Sequence, residues 1–520
     1  MRRAFRLFAL GLCALVLLCS CEQPAPQPTP TETPVPVHTA PPQPARFSLG
    51  YDPTVSLHPI TGASQVNQEL TGLVYQGLYE LDNTFAPLPV LAGEAAASED
   101  ALTWTFTLAE GAVFSDGTPL SAQHVAASLE QARTSALYAG RLKEVASVTA
   151  GEDGAVYVTL SAANVNLPAL LDIPIVLEQA PAEDGTVPPA PLGTGYYQYV
   201  WAEDGPSLQL NPHHPSAAAL PYDAISLVPV SGTGERIAAF DSGAISAVTT
   251  DFTSPYAPDY SGGYEITDYP TTSLLYVGFN AAAGVCQSPL VRQALSHAID
   301  RGRLVEVQLS GHGDPAALPV SPLSAEYSAA HAALLEYDPD AAAQLLAEAG
   351  YTLNEEDGLL YGWNGPMEVT LLVNSDNSVR QAMAQQLADS LARLGITATV
   401  SRLSWSNFIA ALAAGEFDLY LGEVRLTGDF DLTALLVGDL NYSGLESGAL
   451  AEALVQWRAN EGVWHTLAAN TLWMQFIQDV PIASVCFKRE SLLVRWGVAS
   501  DTRPTRANPY YQMELWSIVE

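Results

Sequence analysis

Cysteine, histidine and serine most readily equip a chain for covalent or metal chemistry, and here they are sparse or poorly spaced. The chain holds 5 Cys and 9 His. Neither Cys286 nor Cys486 has a second cysteine or a spaced histidine beside it, so no zinc set of the usual spacing forms. His213 and His214 would tempt nickel. Adjacent residues diverge on an extended chain, however, and Pro212 and Pro215 make the segment a solvated turn. Neither a Gly-x-Ser-x-Gly elbow nor a His-Glu-x-x-His helix is present. Gly193-Thr194-Gly195 lacks the Lys-Ser/Thr that a phosphate loop needs. Carboxylates are plentiful enough for a paired-carboxylate hydrolase, yet no residue stands out as a nucleophile. The chemistry on offer is binding: no enzyme, cofactor or metal site is expected.

The other cysteines crowd the start. Met1-Arg2-Arg3-Ala4-Phe5-Arg6 is basic, residues 7–18 are apolar, and Leu18-Cys19-Ser20-Cys21 follows. A basic head, a short apolar run and a small residue before a break describe a secretion signal, 1–20. The run is too short for a membrane span, which needs about 20 residues. Among these cysteines only Cys21, with Ser20 before it and Leu18 upstream, has the neighbours of a lipidation site. The expected product is an exported protein, lipid-anchored to the outer face of the cell membrane. Residues 21–45 are dominated by Pro, Thr, Gln and Ala, which bury little and favour an extended polyproline tether at about 3.1 Å per residue.

Residues 46–520 suffice for two or three domains. Hydrophobic residues make up 48% of the chain and charged ones 15%, so a large core is available. The net charge of −35 repels phosphate backbones and anionic lipid surfaces. Nucleic acid is therefore not an expected partner, and a covalent lipid is the sensible anchor.

Periodicity supplies the elements. Strands are expected near 46–51, 103–108, 156–160, 208–210, 225–230 and 274–279, and helices over 69–79, 235–242 and 288–307. Asp116-Gly117 forms a turn, and Ser121 caps the helix after it. Asp338 caps another helix, which Gly350 stops. Residues 369–373, 379–394, 397–403, 405–414 and 417–422 alternate strand and helix, which implies a parallel sheet with right-handed crossovers. Residues 511–518 read as a terminal strand. The class is α/β in at least two lobes.

The segments 74–81, 106–125, 193–197, 276–301 and 337–351, in that order along the body, resemble the motifs of the solute-binding proteins of peptide, dipeptide and nickel ABC importers, extracellular family 5. Val74-Tyr75-Gln76-Gly77-Leu78-Tyr79-Glu80-Leu81 is similar to that family's YEGLxxLD segment. Phe106-Thr107-Leu108 through Phe114-Ser115-Asp116-Gly117-Thr118-Pro119-Leu120-Ser121-Ala122 and Val125 matches its strand, turn and capped helix. Gly193-Thr194-Gly195-Tyr196-Tyr197 corresponds to GTGPY, with Tyr196 replacing proline. Tyr276-Val277-Gly278-Phe279-Asn280 with Val291-Arg292-Gln293-Ala294-Leu295 through Asp300-Arg301 is the strongest match, and Tyr337-Asp338-Pro339-Asp340 through Gly350-Tyr351 is another. The resemblance implies a two-lobed periplasmic-binding-protein-like fold (type II), with an extra domain inserted in lobe I. Lobe I would take 46–65, 185–285 and 489–520, the inserted domain 66–184, and lobe II 286–488. A monomer would capture a peptide-like solute between the lobes and hand it to an ABC permease and its ATPase subunits. The alternatives are nickel or another non-peptide solute on the same fold, or a surface scaffold or adhesin without a transport role.

The same resemblance nominates site residues. Peptide-binding relatives hold the ligand's α-amino group with an aspartate after the last lobe II strand. Here Arg425 or Leu426 takes that place, and Asp429 and Asp431 follow. Either aspartate supplies the carboxylate or both cap a loop, while Arg425 suits an anionic group. The dipeptide clamp is missing: Asn374-Ser375-Asp376-Asn377 has no arginine before Arg380. Trp405 and Tyr420 face the expected cleft or fill core, and Asn441 and Tyr442 lie on a polar loop suited to ligand contact. Cys286 and Cys486 fall just beyond the two hinge crossings, where they form a disulfide or stand as two small buried residues.

Overall fold

The computed structural model describes residues 47–181, 189–203 and 205–518; the signal segment, Cys21 and the proline-rich tether lie outside the described residues. Two long antiparallel strands, Tyr264–Phe279 and Ile482–Arg495, organise the rest. Their apolar content runs through almost the whole length, which suits strands covered on both faces. One end of the pair (Leu274, Leu275, Phe279, Val485, Phe487) packs into a core built from residues 274–487 together with Phe85. The other end (Tyr269, Leu492, Val494) packs into a second core with Phe47, Tyr197 and Trp516. The pairing register shifts between Pro270 and Leu274. Pro270 has no N–H to give the ladder, and the Thr271 hydroxyl donates instead to the Lys488 carbonyl at 2.7 Å. The ladder is thus interrupted where the chain passes from one core to the other.

The expected alternation over 369–422 is present. Strands Glu368–Asn374, Thr397–Leu403 and Leu419–Arg425 are parallel neighbours, joined by helices Ser378–Ala392 and Trp405–Ala414. Asn377 accepts the Arg380 N–H and starts the first of these helices. The strand Leu419–Arg425 then runs antiparallel to Tyr264–Phe279, so the parallel unit and the long strands share one sheet. In the second core, Phe47–Tyr51 pairs in parallel with Ala224–Pro229, and Gly205–Leu210 and Tyr197–Ala202 complete that sheet. A separate antiparallel sheet of Ala92–Ala97, Thr103–Leu108, Val145–Ala150 and Val156–Leu160 lies beside helix Ala122–Thr134.

The recognised motifs have mechanical explanations. Gly117 turns at φ 85° while Asp116 accepts the Thr118 N–H at 2.8 Å. The His124 ring accepts the Ser121 N–H at 3.2 Å, closing the cap. A side chain at Gly193 would put its Cβ 2.0 Å from the Val74 carbonyl, so the Gly-Thr-Gly run is a close backbone approach rather than a phosphate cradle. Arg292 and Arg301 are buried and donate to carbonyls: Arg292 to Cys286 and Asp479, Arg301 to Ser484 and Leu335.

Three expected elements come out differently. The helix over 69–79 is instead two short helices, Gln65–Glu69 and Thr71–Val74, followed by strand Tyr79–Leu81. Its apolar residues are core contacts, and the backbone at Gly77 runs so close to the Leu171 carbonyl that an added Cβ would lie 2.8 Å from it. The helix over 288–307 breaks into Pro289–His297 and Arg301–Gln308, because Asp300 leaves helical geometry and caps the second piece through the Arg303 N–H. The terminal strand shortens to Ser517–Ile518 after the turn Met513–Leu515. Cys286 and Cys486 are both free, buried thiols, not a disulfide. Ladder pairing sets Cys486 opposite Leu275 and Pro315, not Cys286. Burial, aided by Asp418, pushes the Cys286 thiol up to about 12.

Candidate ligand-binding site

A cleft of about 810 Å³ lies between the two cores, at the upper end of the roughly 300–1,000 Å³ typical of small-ligand sites. Tyr269, Pro270, Thr272 and Glu490 on the long strands form part of its lining, and residues 424–429 with Asp431 another part. Gln65–Glu69, the segment 137–144 and Thr505–Pro509 contribute from the second core's side. Among the described residues, five of the chain's 21 Lys and Arg line the cleft, against seven of its 56 Asp and Glu. A body with a large acidic excess therefore has a cleft near charge balance.

Asp429 and Asp431 both reach this wall, but each is already engaged. Asp429 is buried and accepts the Asn164 amide at 2.8 Å and the Thr427 hydroxyl. Burial raises its pKa, and Asp431 adds to the rise. Asp431 caps Thr433 and pairs with Lys143 at 3.2 Å and Arg458 at 3.6 Å. Burial pushes Asp431 up, but Arg458 and the cap outweigh it, and the carboxyl sits below its ordinary range. Arg458 also grips Glu144 with both terminal nitrogens, and its carbonyl accepts the Val165 N–H at 2.8 Å. Asn164, Lys143 and Glu144 belong to the segment around the four-stranded antiparallel sheet, whereas Asp429, Asp431 and Arg458 extend from the other core. These contacts tie the two sides of the cleft together. Asp429 and Asp431 thus act as structural acceptors across the cleft rather than as free carboxylates.

Arg425 stands differently. Its side chain keeps 59% exposure, with Glu490 at 3.6 Å and the Ser273 hydroxyl at 3.4 Å. On the far side of Glu490 lies Arg506, also 3.6 Å away and 46% exposed.

The family model described as "Bacterial extracellular solute-binding proteins, family 5 Middle" matches residues 86–434. The chain belongs to this family. It is 30% identical over 364 residues to the glutathione-binding protein GsiB of Escherichia coli (strain K12), covering 67% of each chain. Its fold superposes on MppA, a periplasmic murein tripeptide binding protein in an unliganded open form, with TM-score 0.73 and 19% identity over 91% of this chain and 98% of that one. NikA from Brucella suis in complex with Fe(III)-EDTA gives TM-score 0.66 at 18% identity, over 91% and 99% of the two chains. The fold is thus the two-lobed, mixed α/β architecture that the sequence motifs imply.

The remaining residues nominated from sequence lie off the cleft of this family 5 protein. Tyr420 is buried in the core among Tyr276, Phe408, Phe417 and Tyr442. Trp405 is 53% exposed and stacks on Phe408 at the start of its helix. Asn441 spends its side chain on Ser443 and Leu445, organising its own loop. Arg380, the first arginine after the missing dipeptide clamp, pairs with Glu423. His213 lies exposed against the Asp116–Gly117 turn, and His214 packs on Tyr196. Sequence reasoning missed Glu490, Arg506, Arg141, Lys143 and Arg458. The available signal was scarcity: with so few basic residues in so acidic a chain, each arginine deserved scrutiny as a ligand or latch group.

Proposed function

We propose that this chain is a binding receptor, not an enzyme, which captures a peptide-like solute in the cleft and delivers it to a membrane permease driven by an ATPase. The charge makeup of the cleft carries the reading. A zwitterionic peptide needs both signs of charge within one partly dry volume, and this acidic chain concentrates its few cations there. The names of GsiB and MppA, for glutathione and a murein tripeptide, support a short peptide. Segments 46–65, 185–285 and 489–520 would form lobe I, 66–184 its inserted domain and 286–488 lobe II, closing about the long strands. Among the described residues no helix is long and apolar enough to cross a membrane, and the lipid on Cys21 would hold the receptor near its permease.

Thermal unfolding with added reduced glutathione, trialanine or Ni²⁺ tests this. A true ligand stabilises by RT ln(1 + [L]/Kd), about 2.7 kcal/mol at a hundredfold excess over Kd. A peptide shift without a nickel shift is the expected result. A nickel shift with none for either peptide would remove the peptide assignment.

A further inference from the structure

Two guanidiniums in the cleft share a single carboxylate. Arg425 Nη2 and Arg506 Nε each approach a different oxygen of Glu490, both at 3.6 Å, well beyond the roughly 2.7–2.9 Å of a tight charge-assisted hydrogen bond. Glu490 is itself held in place: it is 15% exposed and accepts the Tyr269 hydroxyl at 3.2 Å. The other cations on the cleft wall are taken. Arg141 pairs with Asp172, Lys143 with Asp431, and Arg458 with Glu144 and Asp431. Among the described residues Arg425 and Arg506 have Glu490 as their one carboxylate within 4 Å. Glu423 and Asp251, farther from Arg425, are held by Arg380 and Lys488, so the two guanidiniums on the cleft wall lack a second anion of their own. Burial lowers the Arg425 pKa, and its neighbour Arg506 lowers it further, so the two cations repel and a second anion between them relieves both.

We propose that Arg425 and Arg506 together receive a carboxylate of the bound solute, with Glu490 as the positioning group that holds the two forks. The proposal rests on the solute occupying this cleft, as argued above. It narrows the ligand to peptides with a free C-terminus or an acidic side chain. It also supplies a clamp to replace the arginine that the segment 374–377 lacks.

Calorimetric titration of the full chain with Ala-Glu-Ala, its C-terminal amide and Ala-Gln-Ala separates the two carboxylate sources. Removing the clamped carboxylate is expected to weaken binding about 10- to 100-fold. In Arg425→Gln and Arg506→Gln that difference between peptides should vanish. Arg506→Lys, which keeps the charge without the fork, should retain part of it. Melting temperatures of the variants near that of the parent exclude misfolding as the cause. Equal affinity of the parent protein for all three peptides would overturn the clamp and leave the peptide receptor standing. If none of the peptides binds, the receptor assignment falls, and titration with succinate decides the clamp. Binding to the parent but not to the double variant keeps the clamp, and no binding to either ends it.

Discussion

Replacing Arg458 with alanine is expected to destabilise the protein by about 3–5 kcal/mol, the usual cost of removing one member of a buried ion pair. Arg458 is buried and faces Glu144 and Asp431, with Asp429 beside them. Without it, these acids keep only Lys143 as a cation, at 3.2 Å from Asp431. Mutual repulsion adds to the cost of their burial. Because Glu144 and Arg458 stand on opposite sides of the cleft, the loss also weakens closure. Small-angle scattering should show a larger radius of gyration, and urea unfolding an earlier midpoint. The double change Glu144→Gln with Arg458→Met should be milder than Arg458→Ala, since it removes the stranded acid along with its partner. A single variant with less than about 1 kcal/mol of effect would mean the contact is a rim pair of the kind worth little.

The second large effect concerns Glu80, whose carboxyl is held at about 7 instead of 4.5. Burial is the main cause. The Asn508 amide, 3.3 Å away, pulls the other way, and nearby Asp172 and Glu514 push up further. Between about 4.5 and 7 the folded form keeps a proton that the unfolded form has lost. Stability is therefore full below 4.5, falls as pH rises through 7, and stays reduced above it. Converting the shift gives about 3 kcal/mol. Glu80→Gln should remove this slope and leave the variant more stable than the parent at pH 8 by up to about that amount. Urea midpoints at pH 5, 6 and 8 read the difference; parallel curves for the two proteins would refute the assignment.

Much of the fold was legible because strong local signals agreed with the tertiary outcome. Asn377, Asp338 and the Asp116-Gly117 turn each carry their own capping or turning chemistry, and the alternation over 368–425 needed no distant information. Failures came where tertiary contacts override periodicity. The apolar spacing of Leu70, Leu73, Val74 and Leu78 serves one core without one continuous helix. Asp300 breaks a helix from within, because its side chain satisfies the next N-terminus. The site was legible only in part. Arg425, Asp429 and Asp431 line the cleft, but a carboxylate's neighbours decide whether it binds ligand, and Asn164, Lys143 and Arg458 lie far from Asp429 and Asp431 in the sequence. The same distance hid Arg506, whose value depends on Glu490 and Arg425 reaching the same spot.

The strands Tyr264–Phe279 and Ile482–Arg495 belong to both cores at once. Neither core can melt alone without stripping partners from a ladder that continues into the other. The two halves are therefore thermodynamically one cooperative unit, and heat should unfold them in a single calorimetric transition. At the same time the ladder joining the cores is irregular between Pro270 and Leu274 and again between Leu275 and Tyr276, which leaves that unit a soft stretch. Bending of the receptor is expected to concentrate there while both of its cores stay folded.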